Sequence, residues 1–157
     1  MSLSVPQSQS VNGATFKVGI AAARFNEKLV DGLLERALSV LKAAGVKAKN
    51  IQTVRVPGSH EIPWAAGELV RRKGCDVAIA LGVLIGGDTN HHEMVGQSVS
   101  EALQTISLQS RVPVINGVIV ANTTAQARAR CTGKINRGAE FAQGALEMAA
   151  LKRKLKS

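Results

Sequence analysis

The chain has 157 residues, of which 45% are hydrophobic, and a formal net charge of +9 at pH 7. This length fits one domain, and no apolar run approaches the ~20 residues of a membrane span, which argues against a membrane protein. The positive charge would suit nucleic acid, but the basic clusters 71–73 and 152–154 lie at predicted helix ends, without aromatic side chains for base stacking. We therefore expect a solvated basic surface that attracts anionic substrates, and neither a nucleic-acid nor a membrane partner.

Residues 1–14 are polar and lack the apolar centre of a secretory signal. They predict a flexible N-terminal tail, followed by a single domain over residues 15–157 of a cytoplasmic protein. The cysteines, Cys75 and Cys131, form no CxxC or Cys/His cluster and are predicted to be reduced thiols.

Short apolar runs alternate with helical periodicity from residue 16 onward. Strands are predicted over residues 16–23, 51–56, 77–85 and 112–120. Helices are predicted over residues 29–45, 62–74, 94–106, 124–130 and 139–154. Four alternations of strand and helix predict a single-domain α/β fold, in which a parallel four-stranded sheet carries helices on both faces as a flavodoxin-like three-layer sandwich.

All three histidines follow predicted strands, and ligands of parallel sheets bind at the carboxyl ends of the strands. His91 and His92 stand in "GGDTNHH" (86–92), where Asn90 could cap the third helix together with Glu93. The free N–H groups of such a helix start bind phosphate, and Thr89 could add a hydroxyl. Taken alone, the segment is more typical of a plain strand-to-helix turn, because it matches no phosphate-binding fingerprint.

A metal site is not predicted. Neighbouring residues on a helix point about 100° apart, so His91 and His92 do not face one ion, and no His-x-x-x-His occurs. Other polar or aromatic residues near strand ends have ordinary explanations: Phe25 as a packing anchor, Glu61 as a complement to a helix dipole, and Arg130 as a surface charge. Sequence spacing does not decide whether Phe25 packs or binds a ligand. For Arg130, it favours a surface charge over a functional role.

Five segments, in this order and at these separations, resemble the lumazine synthase family. They are "RFNE" (24–27), "VRVPGSHEIP" (54–63), "LGVLIGGDTNH" (81–91), "VPVINGVIV" (112–120) and "QARARCTGKINRGAE" (126–140). The resemblance implies a transferase of the penultimate step of riboflavin biosynthesis. It would condense 5-amino-6-(D-ribitylamino)uracil with 3,4-dihydroxy-2-butanone 4-phosphate to 6,7-dimethyl-8-ribityllumazine, without a metal or organic cofactor.

The resemblance also implies individual roles, with His91 as the catalytic histidine. The pyrimidine and ribityl chain would be bound by Phe25, Ser59, His60, Glu61, Val83, Leu84, Ile85 and Asn116. The phosphate substrate would be bound by Asp88, Thr89 and Arg130. Arg130 would come from a neighbouring subunit, because sites in this family lie between the subunits of a homo-oligomeric pentamer. Riboflavin synthase is a further partner that the resemblance suggests.

Three departures from the family pattern stand out. Asn116 stands where many members have phenylalanine, and Gly86 stands where a basic residue is common. The segment after Arg130 is one residue shorter than usual, which leaves the match of Lys134 and Arg137 open. The short connection there is nevertheless similar to that of members that form a sixty-subunit icosahedral shell.

Two alternatives from other functional classes remain. Asn116 and Gly86 would suit a non-catalytic lumazine-synthase-like shell or flavin-binding protein. A receiver-like signalling module would need acidic residues at the strand ends, but "AAAR" (21–24) after the first strand has none.

Overall fold

The computed structural model describes residues 2–156, and its sheet contains four parallel strands. The strands are β1 (Val18–Ala23), β2 (Ile51–Val56), β3 (Val77–Ile85) and β4 (Val114–Ala121). Their order across the sheet is β2-β1-β3-β4, and β1 pairs in parallel with both β2 and β3. The predicted parallel sheet is confirmed, and the bounds of β2 and β3 agree with the sequence.

The predicted starts of the first and fourth strands in the chain are each two residues too early. The amide of Lys17 donates to the carboxylate of Asp76 at 2.8 Å rather than to a neighbouring strand. Pro113 has no N–H to donate, although its carbonyl accepts a bond of 3.0 Å from Ala78. Regular pairing therefore starts at Val18 in β1 and at Val114 in β4.

Five α-helices connect and cover the strands in the described part of the chain. They are α1 (Glu27–Ala43), α2 (Ile62–Val70), α3 (His91–Ser110), α4 (Thr124–Cys131) and α5 (Arg137–Lys156). Helix α1 ends before Gly45, whose φ of 91° lies in the left-handed region that glycine adopts without strain. Helix α2 ends earlier than predicted, and a turn leads to Gly74, which has a φ of 78°. Among the described residues, no helix is both long enough and apolar enough to cross a membrane.

The helices form a layer on each face of the sheet, which confirms the predicted three-layer α/β fold. Helices α1, α4 and α5 cover one face, where the large buried side chains are Ile20, Leu33, Leu41, Ile79, Leu81, Ile119 and Leu146. Helices α2 and α3 cover the other face, where β1 and β3 contribute Ala21, Ala23 and Ala80. These small side chains let the two helices approach the sheet closely.

The described residues before β1 form no helix or strand and lie along α5. The amide of Gln9 donates to Glu147 at 3.0 Å, and the guanidinium of Arg137 donates to the carbonyl of Ser2 at 2.7 Å. The flexible tail over residues 1–14 and the domain over 15–157 stay predictions, and their outer ends, Met1 and Ser157, lie outside the described residues.

An ion pair with a buried carboxylate lies at the amino end of the sheet. The side chain of Asp76 is 5% exposed, and its two oxygens accept bonds of 2.9 Å from Nε and a terminal nitrogen of Arg153. The same guanidinium donates to the carbonyl of Thr15 and lies over the ring of Phe16, 4.8 Å from its centroid. Arg153 thereby joins the end of α5 to the chain before β1 and before β3.

Candidate active site

A cavity of about 400 Å³ lies at the carboxyl ends of β1, β2 and β3, beside the start of α3. It is lined by Phe25, Asn26, Gly58, Ser59, His60, Glu61, Val83, Leu84, Ile85, Gly87, Thr89, His91, His92 and Val95. Ligands of open parallel sheets bind at this edge, beside the strand where the order of connections reverses, and pockets for small molecules have this size. Nine of the twelve predicted site residues line this cavity.

Phe25 presents its ring to the cavity and not to the core. The side chain is 71% exposed, which argues against the packing-anchor explanation. Its amide donates to the carbonyl of Pro57 at 3.0 Å, so the loops after β1 and β2 are joined. A Cβ on Gly58 would lie 3.1 Å from the Phe25 ring and 3.2 Å from a carboxylate oxygen of Glu61, so glycine gives both side chains room.

Asn26 is a residue of the site that sequence reasoning missed. Its backbone is left-handed, with a φ of 56°, and its side-chain amide donates to the carbonyl of Val83 at 2.8 Å. This bond ties the loop after β1 to the end of β3. The available signal was an asparagine directly before a helix, because asparagine adopts the left-handed conformation more readily than most residues.

The turn after β2 places Ser59, His60 and Glu61 on one wall. One carboxylate oxygen of Glu61 accepts the amide of Gly58 at 2.9 Å, which leaves the other directed toward His60, 4.0 Å away. The hydroxyl of Ser59 is buried and has no hydrogen-bond partner among the described residues. A Cβ on Gly82 would lie 2.5 Å from this hydroxyl, so only glycine in β3 admits Ser59 here.

At the end of β3, backbone N–H and C=O groups face the cavity. Pairing with β1 ends at Leu81, whereas pairing with β4 continues to Ile85. The amide of Gly86 donates to the carbonyl of Ala121 on the β4 side at 2.8 Å. Because hydrogen-bonding directions alternate along a strand, the N–H and C=O of Ile85 face the opposite side, where β1 has already ended.

The first turn of α3 carries His91 at the cavity, with an exposed side chain. The predicted capping pair of Asn90 and Glu93 is wrong. Asn90 precedes the helix with φ −87° and ψ 21°, outside the extended conformation that a capping side chain needs, and it makes no side-chain cap bond. The hydroxyl of Thr89 accepts the amide of His91 instead, at a long 3.4 Å.

His92 points inward, in contrast to His91. It is 9% exposed, and its Nε2 lies 3.2 Å from the side-chain oxygen of Asn122, after β4. Its Nδ1 is buried without a hydrogen-bond partner among the described residues. The opposite orientations agree with the angular offset expected for consecutive helical residues.

Three predicted site residues do not line the cavity of their own chain. Asp88 is exposed in the loop before α3. Asn116 is exposed in β4 opposite Ala80, and its side-chain oxygen accepts the amide of Val118 at 3.1 Å. Arg130 in α4 donates to the carbonyl of Gln126 at 3.0 Å.

The two further candidates for phosphate binding differ from each other. Lys134 is exposed. The side chain of Arg137 is 4% exposed and pairs with Glu140 at 2.5 Å in the first turn of α5. The guanidinium of Arg137 is therefore engaged by Glu140 of its own helix and by the carbonyl of Ser2.

Neither cysteine lines the cavity. Cys75 and Cys131 are free and buried, and burial raises the pKa of the Cys131 thiol to about 11. Such a thiol is protonated at neutral pH and is a poor nucleophile. Among the described residues, no group of three or more His, Cys, Asp or Glu could hold a metal ion.

Comparison with known proteins identifies the family. A family model described as 6,7-dimethyl-8-ribityllumazine synthase matches residues 15–153. The chain belongs to this family. A synthase of that name from Aquifex aeolicus is 46% identical over 141 residues, covering 89% of this chain and 92% of the relative. Those from Pyrococcus furiosus and Nitrosospira multiformis are 42% and 39% identical, covering 91% and 93% of this chain and 89% of each relative.

The lumazine synthase family predicted from the five segments is thus confirmed. The structure also gives a local reason for glycine at position 86. A Cβ there would lie 2.8 Å from the carbonyl oxygen of Asn122 and 3.1 Å from Nε2 of His92. In this member of the family, the space beside residue 86 is filled by the imidazole of His92.

Proposed function

We propose that this chain condenses 5-amino-6-(D-ribitylamino)uracil with 3,4-dihydroxy-2-butanone 4-phosphate to 6,7-dimethyl-8-ribityllumazine, releasing phosphate and water. The observation that carries the proposal is that three features line the same cavity: an exposed aromatic ring, an open strand edge and a helix start with a histidine. Membership of the lumazine synthase family supports the same reaction.

The first substrate would lie between the loops after β1 and β2. The ring of Phe25 would stack on the pyrimidine, and the backbone of Ile85 would bond its polar edge. Ser59, His60 and the free oxygen of Glu61 would bond the ribityl hydroxyls. This assignment is supported by the unpartnered hydroxyl of Ser59 and by the one carboxylate oxygen that Glu61 keeps available.

The second substrate would place its phosphate at the start of α3. Free N–H groups and the positive end of a helix dipole attract phosphate, and Thr89 would add a hydroxyl. His91 lies in the same turn, so its imidazole would exchange protons as the amine adds to the ketone with loss of water, phosphate is eliminated, and the ribitylamino nitrogen closes the ring with loss of a second water. Holding the two substrates in register would supply much of the remaining rate.

A second copy of the chain would complete the site. Asp88, Asn116 and Arg130 do not line the cavity of their own chain. We propose that Arg130 and Asn116 reach a neighbour's cavity in a homo-oligomeric pentamer, and that pentamers assemble into a sixty-subunit shell. Riboflavin synthase, which would consume the product, is the proposed further partner. Two free cysteines agree with a reducing compartment, so we place the reaction in the cytoplasm.

The non-catalytic alternative is not favoured, because the relatives carry the synthase name and His91 lines the cavity. Turnover tests the proposal directly. The protein is incubated with both substrates, and lumazine absorbance and phosphate release are followed together. We expect both signals in equal amounts, and neither when one substrate is omitted. A folded protein that yields no lumazine would contradict the proposed function.

Subunit mixing tests the shared site. Arg130→Ala would mainly weaken binding of the phosphate substrate, since hydrogen bonds to charged groups contribute about 1.5–3 kcal/mol. At low concentrations of both substrates, mixed oligomers of Arg130→Ala and Phe25→Ala chains should be more active than the average of the two variants alone, because some sites then combine an intact Phe25 with an intact Arg130. No recovery in verified mixed oligomers would indicate sites within single subunits. Light scattering checks the assembly: a monomer contradicts the shared site, and a lone pentamer contradicts the shell.

A further inference from the structure

His92 connects two segments that converge on the proposed phosphate site. It is the second residue of α3, and its Nε2 lies 3.2 Å from Oδ1 of Asn122, which follows β4. Building on the proposed function, we propose that His92 is a positioning residue that holds the first turn of α3 in place for the phosphate substrate. It acts through its hydrogen bond to Asn122.

The chemistry of the two side chains fixes the direction of this bond. A carboxamide oxygen only accepts hydrogen bonds, so Nε2 of His92 carries the proton and donates it. The ring is 9% exposed and Asn122 is exposed, so the bond is partly shielded from water and electrostatically stronger than one fully in solvent. The bond therefore fixes the imidazole against the loop that follows β4.

Gly86 makes the arrangement possible. A Cβ at this position would stand 3.1 Å from Nε2 of His92 and 2.8 Å from the backbone oxygen of Asn122. The amide of Gly86 meanwhile donates to Ala121 at 2.8 Å, so the backbone here cannot move aside without losing a bond to β4. The close packing of the His92 imidazole and Asn122 therefore requires glycine at position 86.

The rest of the turn is held weakly. The side chain of Asn90 makes no cap bond, and the bond between the His91 amide and Thr89 is long at 3.4 Å. Among the described residues, the His92–Asn122 bond is the one side-chain hydrogen bond that ties residues 86–93 to another segment. Its loss should loosen the N–H groups that the phosphate needs, while the pyrimidine wall on the β1 side is unaffected.

The test removes the bond from each side. His92→Phe keeps an aromatic ring but no donor, and Asn122→Ala removes the acceptor. Each should raise the KM for the phosphate substrate about threefold to tenfold, with little change in kcat or in the KM for the pyrimidine. The double variant should be no worse than either single one, because both remove the same interaction. His92→Gln, whose terminal amide can donate from a similar position, should restore most of the affinity.

Gln97→Ala is the matched control. It removes a bond of the same length, 3.2 Å, from Gln97 to Glu101 on the exposed side of α3. Both KM values should stay unchanged in this variant. Equal changes for both substrates in His92→Phe, additive effects in the double variant, or no rescue by glutamine would overturn the positioning role.

Inorganic phosphate separates this inference from the proposed function. If the unmodified protein makes no lumazine, the function fails, but calorimetry with inorganic phosphate still tests His92. We expect phosphate to bind the unmodified protein and Gln97→Ala equally, and His92→Phe about threefold to tenfold more weakly. Equal binding by all three proteins would overturn the role of His92.

Discussion

The two ends of the sheet use their polar groups in opposite ways. At the amino end, both oxygens of Asp76 are bonded to Arg153, and one also accepts the amide of Lys17. At the carboxyl end, the hydroxyl of Ser59 and Nδ1 of His92 are buried without partners among the described residues. The polar groups of the ion pair at the amino end are bonded within the chain, whereas at the carboxyl end the Ser59 hydroxyl stays unbonded beside the cavity. Substitutions at the two ends should therefore separate stability from activity.

The largest expected effect is on turnover at the carboxyl end. His91→Ala should lower kcat up to about 10²-fold, the low end of the usual contribution of an acid–base group, because substrate positioning remains. Stability should change by less than about 0.5 kcal/mol, since the side chain is exposed. Steady-state kinetics and urea unfolding measure the two quantities. At saturating substrates and with intact assembly, His92→Ala should lose less turnover than His91→Ala, and the reverse order would show that the assignment is wrong.

The amino end should show the converse behaviour. Arg153→Ala leaves the 5% exposed carboxylate of Asp76 without its cation. Breaking a buried pair costs about 3–5 kcal/mol, and because Arg153 is 42% exposed we expect about 2–3 kcal/mol, with kcat unchanged in the folded protein. The midpoint of urea unfolding at fixed chain concentration measures this loss. Arg71→Ala, which breaks the exposed pair with Glu68, is the control and should cost at most about 0.5 kcal/mol. Equal losses of unfolding free energy in Arg153→Ala and Arg71→Ala would contradict the stabilising role of the Asp76–Arg153 pair.

A smaller effect should distinguish the two substrates within the cavity. Phe25→Ala should raise the KM for the pyrimidine about fivefold, because an aromatic pair contributes about 1 kcal/mol beyond its buried area. The KM for the phosphate substrate should change little, and stability should be kept because the ring is 71% exposed. Phe25→Tyr retains the ring and serves as the control. A similar rise in both KM values would count against stacking on the pyrimidine.

The effect that is smallest at neutral pH concerns the buried thiol of Cys131, whose shifted pKa changes the stability only above pH 9. Burial raises its pKa from 9.0 to about 11, so the folded protein holds this proton more tightly than the unfolded chain. The resulting stabilisation is fully present below pH 9 and is lost as the pH rises through 11. The free energy of unfolding of the unmodified chain, minus that of Cys131→Ala, should be constant below pH 9 and fall between pH 9 and 11. A difference that does not vary with pH would contradict this shift.

Sequence patterns predicted the interior of the sheet better than its ends. The continuous apolar run of β3 fixed both of its bounds, because a strand buried on both faces has no polar positions. The starts of β1 and β4 depend on bonds of Lys17 to Asp76 and of Ala78 to Pro113. Such bonds join residues far apart in the chain and leave no periodic signal.

The candidate site shows the same division. The rule for parallel sheets predicted its location, and the family resemblance suggested the roles that we propose for individual residues. The bond from Asn26 to Val83 spans 57 residues, and the one from His92 to Asn122 spans 30, so neither could be found from local spacing. Under the proposed shared site, the positions of Asn116 and Arg130 relative to a cavity would depend on a second copy of the chain, which a single sequence does not place.

The edge of β4 has a consequence for behaviour at high protein concentration. Because β4 pairs with β3 on one side only, the amides of Val114 and Val118 face outward, where a strand of another molecule could add to the sheet. The hydroxyl of Ser107 accepts the first at 3.3 Å, and the side chain of Asn116 accepts the second at 3.1 Å. A phenylalanine at position 116 would leave the second amide open. The side chain of Asn116 thus occupies one of the outward-facing donors of this edge and lowers the number that another strand could use for edge-to-edge aggregation.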